Sequence, residues 1–272
     1  MGNIQIILAS VISLSIIGAI AGSALAYASL KFKVETDPRI DEVLKALPNT
    51  NCGACGYPGC RPLAEAIVKG SADMSSCRVG GDKVAKAIAA IMGTTSCAVK
   101  VKLIARLLCG GGNDKCGKKF EYHGVKRCDA VLLVGGGDKL CDHGCLGYSD
   151  CVLTCKYDAM RMGDDGLPVI DPEKCLSCGK CIAACPRKLI QLVPKKAKVL
   201  IACSSKDKGA KVRKICTVGC IKCRLCEKKC PTRSISFPEG PAGEVLPVID
   251  HEKCQGIKEC VKVCPTKTII EL

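Results

Sequence analysis

Cysteine carries whatever chemistry this chain performs. There are 25 cysteines in 272 residues, about a tenth of the chain and far above ordinary usage. Residues 175–186 read CLSCGKCIAACP, with two, two and three residues between Cys175, Cys178, Cys181 and Cys185 and a proline following. Residues 220–231, CIKCRLCEKKCP, repeat the pattern with Cys220, Cys223, Cys226 and Cys230. Thiolates this close on one loop converge on a single point. The spacing suits [4Fe–4S] ligation, in which three cysteines hold one cluster and the fourth, before proline, reaches a neighbouring one. Structural zinc accepts thiolates too, but rarely three so close together with a fourth before proline. An odd count and runs this tight speak against a disulfide scaffold.

A further group lies nearer the N-terminus. NCGACGYPGC at 51–60 supplies Cys52, Cys55 and Cys60, and Cys77 follows sixteen residues on. Glycines between the cysteines let the backbone bend so that the sulfurs point inward. Four thiolates suit one [4Fe–4S] cluster, with structural zinc as the alternative.

Internal repeats organise the rest. LPVIDPEKC at 167–175 recurs as LPVIDHEKC at 246–254, an offset of 79 residues that carries Cys175, Cys181 and Cys185 onto Cys254, Cys260 and Cys264. It also carries Cys178 onto Ile257, which cannot bind iron. At an offset of 75, Cys141, Cys145, Cys151 and Cys155 map onto Cys216, Cys220, Cys226 and Cys230, Tyr148 faces Cys223, and Cys128 maps onto Cys203. Residues 128–272 therefore read as a duplicated two-cluster unit.

Crossed ligation assigns Cys145, Cys151 and Cys185 to one cluster, with Cys141 substituting for the thiol missing at Tyr148. Cys155, Cys175, Cys178 and Cys181 form a second set, and Cys220, Cys223, Cys226 and Cys264 a third. Cys230, Cys254 and Cys260 keep a gap at Ile257. That gap implies a [3Fe–4S] centre, or a [4Fe–4S] centre completed by a spare thiol such as Cys203 or Cys216. His251 is another candidate for the gap, although its repeat equivalent is Pro172. Cys97, Cys109, Cys116, Cys128, Cys203 and Cys216 remain. Four of them, including Cys109, Cys116 and Cys128, would build a further cluster; the alternative is buried free thiols. The expected total is five to six clusters.

Elements must hold these ligands. TDPRIDEVLKALPNT at 36–50 reads as a short amphipathic helix ending near Pro48, and RPLAEAIVKGSADMSSC as a helix returning Cys77. Met1 to Leu30 contains no charged side chain, and about 20 such residues cross a bilayer. The first charges are Lys31, Lys33 and Glu35, so the positive-inside rule places the long C-terminal part in the cytoplasm. Ala24-Leu25-Ala26 resembles a signal-peptide cleavage site, but no basic segment precedes the apolar run. Gly18, Gly22 and Ala26 form a small-residue stripe of the kind that admits a partner helix, or simply reflect membrane-helix composition.

The expected class is α+β: one N-terminal transmembrane helix (1–30), a small four-cysteine [4Fe–4S] domain (31–95), and a connecting segment (96–135). Two tandem bacterial-ferredoxin-like two-cluster modules follow, at 136–195 and 196–272. Tryptophan is absent and aromatics are 3% of the chain, so bound clusters must supply much of the folding free energy. The formal charge of +15 omits iron-bound thiolates, and each all-cysteine cluster is net anionic. The remaining lysines and arginines suit an acidic protein partner or anionic lipid. Nucleic acid is excluded because no basic stripe carries stacking aromatics. VLLVGGGDKL at 131–140 runs from an apolar strand into glycines, and LLCGGGNDK at 107–115 is similar, but both lack phosphate-loop spacing and read as turns. No catalytic triad, paired carboxylates or nucleotide fingerprint is present. The chain moves electrons rather than remaking bonds.

The anchor, NCGACGYPGC with Cys77, EYHGVKRCDA, CDHGCLGYSDC and the two complete runs follow one another in that order. Over essentially its whole length the chain resembles the B subunit of Rnf-type membrane electron-transport complexes. SSKDKGAKVRKICTVGCIKC is similar to the longer-tailed, many-cluster members of that family. The resemblance implies a cytoplasm-facing subunit that accepts electrons from reduced ferredoxin. It would relay them through its clusters to other membrane and cytoplasmic subunits, coupled to Na+ or H+ transport. Lys228, Lys229 and Lys262 are candidates to dock the donor. Two positions depart from the pattern: Ile257, and Lys156 where proline usually follows the fourth cysteine. The competing readings are a polyferredoxin relay of a membrane-bound hydrogenase or dehydrogenase without ion pumping, and a zinc-rich scaffold.

Overall fold

The computed structural model describes residues 2–31, 37–94, 101–240 and 245–272. Lys33, Glu35 and Cys97 lie outside the described residues. Gly2–Lys31 forms one helix, α1, of 30 residues. At 1.5 Å per residue it is about 45 Å long, more than the roughly 30 Å hydrocarbon core of a bilayer. Val11–Ala28 is its membrane-compatible window, and none of that window is buried against the rest of the protein. Leu14, Ile17, Ile20 and Leu25 are all more than half exposed. A helix apolar on every side and uncovered by protein is matched to lipid.

Three helices form the next layer. Asp37 caps α2 (Pro38–Ala46), accepting the Arg39 N–H at 2.9 Å, with proline in the first turn. Then come α3 (Cys60–Val68) and α4 (Gly81–Ile91). Ile40 and Val43 of α2, Leu63, Ala64 and Ile67 of α3 and Ile88 of α4 pack around Cys60 and Cys77. Burying each larger aliphatic side chain is favourable by about 1.5–3 kcal/mol. The helix expected over 36–50 is present and ends before Pro48. The return expected as a helix over 61–77 is shorter, because α3 stops at Val68 and the chain reaches Cys77 through turns that begin at Gly70 (φ +72°).

From Leu103 the chain lays down one pattern twice. The first copy contains β1 (Leu103–Leu107), α5 (Cys128–Leu133), α6 (Asp150–Leu153), β2 (Met160–Met162), β3 (Pro168–Ile170), α7 (Lys180–Ala184) and β4 (Ile190–Pro194). The second contains β5 (Val199–Ile201), α8 (Gly209–Ile215), α9 (Leu225–Lys228), β6 (Ile235–Ser236), β7 (Val248–Ile249), α10 (Glu259–Lys262) and β8 (Ile269–Glu271). In each copy an inner antiparallel pair, β2–β3 or β6–β7, lies between the partners of an outer one, β1–β4 or β5–β8. The outer ladder of the first copy runs from Leu103↔Pro194 to Leu107↔Ile190.

Two expectations need correction here. Residues 96–135 are not merely a connector, since they hold β1, whose Ile104 and Ala105 enter the core around Cys151, Cys175 and Cys181. The apolar stretch before the glycines at 135–137 lies in helix α5 rather than a strand. The Cys128 N–H at its start donates to Asp150 Oδ2 (3.0 Å), and Gly135, Gly136 and Gly137 all take positive φ just beyond its end.

Candidate metal centres

Cys52, Cys55, Cys60 and Cys77 come together at the three-helix layer. Asn51 Oδ1 accepts the Cys60 N–H at 2.8 Å and fixes the loop against the start of α3. Burial pushes the Cys77 thiol up, opposed by a hydrogen bond from the Gly80 N–H, and the charges of Cys60, Cys52 and Cys55 push it further. Four sulfurs that repel one another as thiolates are matched to a cationic iron core.

Four cavities of 340–400 Å³ in the repeated region are each lined by at least four cysteines. Cys155, Cys175, Cys178 and Cys181 share one, and Cys220, Cys223, Cys226 and Cys264 another. These are the groupings that crossed ligation leads one to expect, here seen as shared cavity walls. The third differs from expectation: Cys145, Cys151 and Cys185 are joined by Cys128, not Cys141. The reason is the Asp150 contact, which ties the helix start bearing Cys128 to the helix bearing Cys151. Cys141 instead lines a fourth cavity with Cys109, Cys116, Cys203 and Cys216. The correspondence of Cys128 to Cys203 in the sequence is therefore not structural. Cys203 follows β5 as Cys109 follows β1.

The last set has three cysteines. Burial raises the Cys260 thiol, and the charges of Cys254 and Cys230 raise it further. Ile257 is 47% exposed, and Cys203 and Cys216 are committed to the other cavity. His251 is half-buried, and its Nδ1 has no hydrogen-bond partner. At Cys230, burial is outweighed by hydrogen bonds from Ser234 and Thr232 side chains and backbone, which hold the thiol down at about 7.

The backbone shows why incomplete runs still belong. Two and four residues after the first cysteine, every run turns to positive φ: Gly147 and Ser149, Ser177 and Gly179, Lys222 and Arg224, Gly256 and Lys258. Three residues past the fourth cysteine, Asp158, Lys188, Arg233 and Lys267 do the same. For a non-glycine residue this costs of order 1–3 kcal/mol and persists only where the surroundings impose it. The loops containing Tyr148 and Ile257 keep the same form. Each run then enters a short helix just before its third cysteine: Cys151 in α6, Cys181 in α7, Cys226 in α9, Cys260 in α10. Asp171 and Asp250 shape the approach alike, each accepting the N–H groups two and three residues on.

Backbone N–H groups also aim at sulfur. Ala105 donates to Cys175 (3.5 Å), Leu189 to Cys185 (3.4 Å) and Thr268 to Cys264 (3.3 Å). Such bonds stabilise anionic sulfur and tune cluster potential. A zinc tetrahedron with bonds near 2.3 Å needs sulfurs about 3.8 Å apart. Among the described residues, no three His, Cys, Asp or Glu side chains gather tightly enough to chelate one ion. Sulfurs set around a larger volume, with an all-thiolate donor set, fit a multinuclear iron–sulfur cluster.

Comparisons with known proteins agree with this geometry. An Fe-S cluster family matches residues 47–79, a 4Fe-4S binding domain 168–191 and a 4Fe-4S dicluster domain 219–268. The chain is 42% identical over 265 residues to the B subunit of the ion-translocating oxidoreductase complex of Methanosarcina acetivorans, covering 97% of this chain and 98% of the relative. It belongs to the family of ion-translocating oxidoreductase complex B subunits. The B subunit of the Na+-translocating ferredoxin:NAD+ oxidoreductase complex of Acetobacterium woodii is 42% identical over 256 residues, 94% of this chain and 75% of the relative. The proton-translocating counterpart of Clostridium ljungdahlii is 39% identical over 259 residues, 94% of this chain and 89% of the relative.

As a member of that family, the chain is an electron-transfer component of an ion-translocating oxidoreductase complex, and α1 is its candidate membrane anchor. Sequence reasoning missed two residues that shape the sites. Asp150, 8% exposed, positions Cys128. Lys139, 1% exposed, donates from Nζ to Gly111 O at 3.1 Å. A lysine beside glycines in a polar stretch carries no signal that it is buried.

Proposed function

We propose that this protein accepts electrons from reduced ferredoxin at the cytoplasmic face of the membrane and relays them to the other subunits of its complex. The closeness of successive cysteine sets is the observation that carries this reading. Tyr157 hydrogen-bonds Thr50 and lies within electrostatic reach of Cys178, Cys52 and Cys155, spanning the first two sets. Cys55 and Cys77 share a cleft with Cys175. Cys151 lies within reach of Cys181, linking the second set to the third. One-electron transfer is the chemistry that [4Fe–4S] clusters supply, and adjacency favours a relay over isolated structural sites.

The proposed ligand sets are Cys52, Cys55, Cys60 and Cys77; Cys155, Cys175, Cys178 and Cys181; Cys128, Cys145, Cys151 and Cys185; and Cys220, Cys223, Cys226 and Cys264. Cys230, Cys254 and Cys260 make a fifth, with a [3Fe–4S] centre. The layout is a four-cysteine domain followed by two tandem ferredoxin-like units, the first beginning at β1. Ferredoxin and NAD+ appear in the names of the relatives from A. woodii and C. ljungdahlii, which supports ferredoxin as donor. No Lys or Arg precedes Lys31, which supports a cytoplasmic position for the bulk of the chain. Lys228 and Lys229 are exposed and make no ion pair among the described residues, which suits an acidic donor, whereas Lys262 is engaged with Glu259 at 2.9 Å. Reduced ferredoxin added anaerobically to the purified full-length protein should bleach its visible absorbance. Intact colour with no bleaching overturns the donor assignment.

A further inference from the structure

Two and four residues past the fourth cysteine of each run, the two repeats carry different side chains. Serine or threonine fills both positions in the second repeat alone, with Thr232 and Ser234 after Cys230 and Thr266 and Thr268 after Cys264. In the first repeat Tyr157 and Ala159 follow Cys155.

The two hydroxyl pairs bond differently. Ser234 is 2% exposed, so its proton must find an acceptor inside the protein. Thr232 Oγ1 donates to Ser234 Oγ at 3.1 Å, which makes Ser234 the acceptor on that side. The Cys230 sulfur, 3.3 Å from Ser234 Oγ, is the acceptor left for the serine's own proton. Thr232 Oγ1 lies farther from the same sulfur, at 3.5 Å. At Cys264 the equivalent hydroxyl turns away. Thr268 Oγ1 donates to Val218 O at 2.8 Å and meets Thr266 Oγ1 at 2.8 Å, while Thr266 Oγ1 stands 3.8 Å from the Cys264 sulfur.

Ser234 is also fixed by its backbone. Its carbonyl accepts the Asp250 N–H at 2.8 Å, and the Asp250 carbonyl accepts the Cys254 N–H at 3.1 Å. The residue therefore ties the loop that bears Cys254 to the sulfur of Cys230. The first repeat builds the same frame without the hydroxyl. Ala159 O accepts the Asp171 N–H at 2.8 Å, and Asp171 O accepts the Cys175 N–H at 3.1 Å. Ala159, 3% exposed, is as deeply buried as Ser234.

An O–H aimed at a ligand sulfur sets the positive end of its dipole against the charge that a cluster gains on reduction. The reduced state is stabilised and the potential rises. Burial strengthens the effect, because the local dielectric is low.

We propose that Ser234, oriented by Thr232, raises the reduction potential of the centre held by Cys230, Cys254 and Cys260. Ser234 is then a positioning residue of the relay, one that makes this centre easier to reduce than the Ala159 frame would. Reduction adds one electron to the centre; no bond breaks and the hydroxyl keeps its proton. The inference rests on these three cysteines holding an iron–sulfur centre.

An EPR-monitored redox titration of the anaerobically purified full-length protein, following the three-iron signal, tests it. Thr232→Val/Ser234→Ala removes both hydroxyls and should shift the midpoint to lower potential at unchanged iron and sulfide content. Thr232→Val alone keeps the serine bond and should titrate near the parent. A double variant with the parent midpoint overturns the proposal, as does a full shift in Thr232→Val alone. If the double variant does not hold its iron, Ser234→Ala alone should still move the midpoint down, by less, since Thr232 is the more distant donor. The parent midpoint in that variant overturns the proposal. Failure of the underlying reading is distinct, because the parent itself would then lack the three-iron signal.

Discussion

Cys128 lines the same cavity as Tyr148, the residue that stands where a cysteine would complete the run beginning at Cys145. The tyrosine hydroxyl turns to Asp138 instead (3.0 Å), and its ring meets Tyr122 edge-on at 5.8 Å. In the proposed ligand set, a thiol from a distant helix start takes the place of the one the run lacks. Cys128→Ser should remove one cluster, about four irons, measured by iron and sulfide analysis. Adding Tyr148→Cys to that variant should restore them, because Gly147 and Ser149 already give position 148 the backbone of a ligand loop. Full iron content in Cys128→Ser would refute the assignment.

The run around Ile257 has no such rescuer among the described residues. The oxidised parent should therefore show the EPR signal of a three-iron centre, and Ile257→Cys should abolish it while adding about one iron per chain. Gly256 and Lys258 hold the loop in the form seen at Ser177 and Gly179, so the new thiol enters a formed seat. A parent without the three-iron signal would mean that another donor completes the site.

Leu63 is 1% exposed and packs in the core that contains Cys60 and Cys77. Leu63→Ala should destabilise this layer by about 2–5 kcal/mol. Thermal melts following visible absorbance should show early loss of one cluster, with the remaining colour melting near the parent temperature. A single unshifted transition would show that the layer does not depend on this contact.

Charge at the second repeat should govern the encounter with the donor. Replacing Lys228 and Lys229 by glutamate should slow reduction by ferredoxin, most strongly at low ionic strength, where the Debye length is about 30 Å at 0.01 M. Stopped-flow rates that are the same for parent and variant across a salt series would place docking elsewhere.

Spacing alone revealed the complete runs, the repeat and the apolar anchor, because these features are local. What it could not reveal is how a sulfur outside a run reaches a site. Cys141 lies four residues before Cys145 and Cys128 seventeen, so spacing pointed to Cys141, and only the folding of α5 against Asp150 brings Cys128 to Cys145 instead. The strand role of Leu103–Leu107 was hidden for the same reason, since its partner β4 stands at the far end of the first copy. Lys139 gave no sign of burial because charge and neighbouring glycines ordinarily mark a surface turn.

The outer ladders have a bearing on synthesis. β1 leaves the ribosome before every cysteine of its own copy, yet its partner β4 is made only after the last of them, and β5 waits in the same way for β8. The nascent segment between the two strands must remain open at its ends until the second arrives. A fragment cut at residue 136 would never close at all, however many of its thiols were intact.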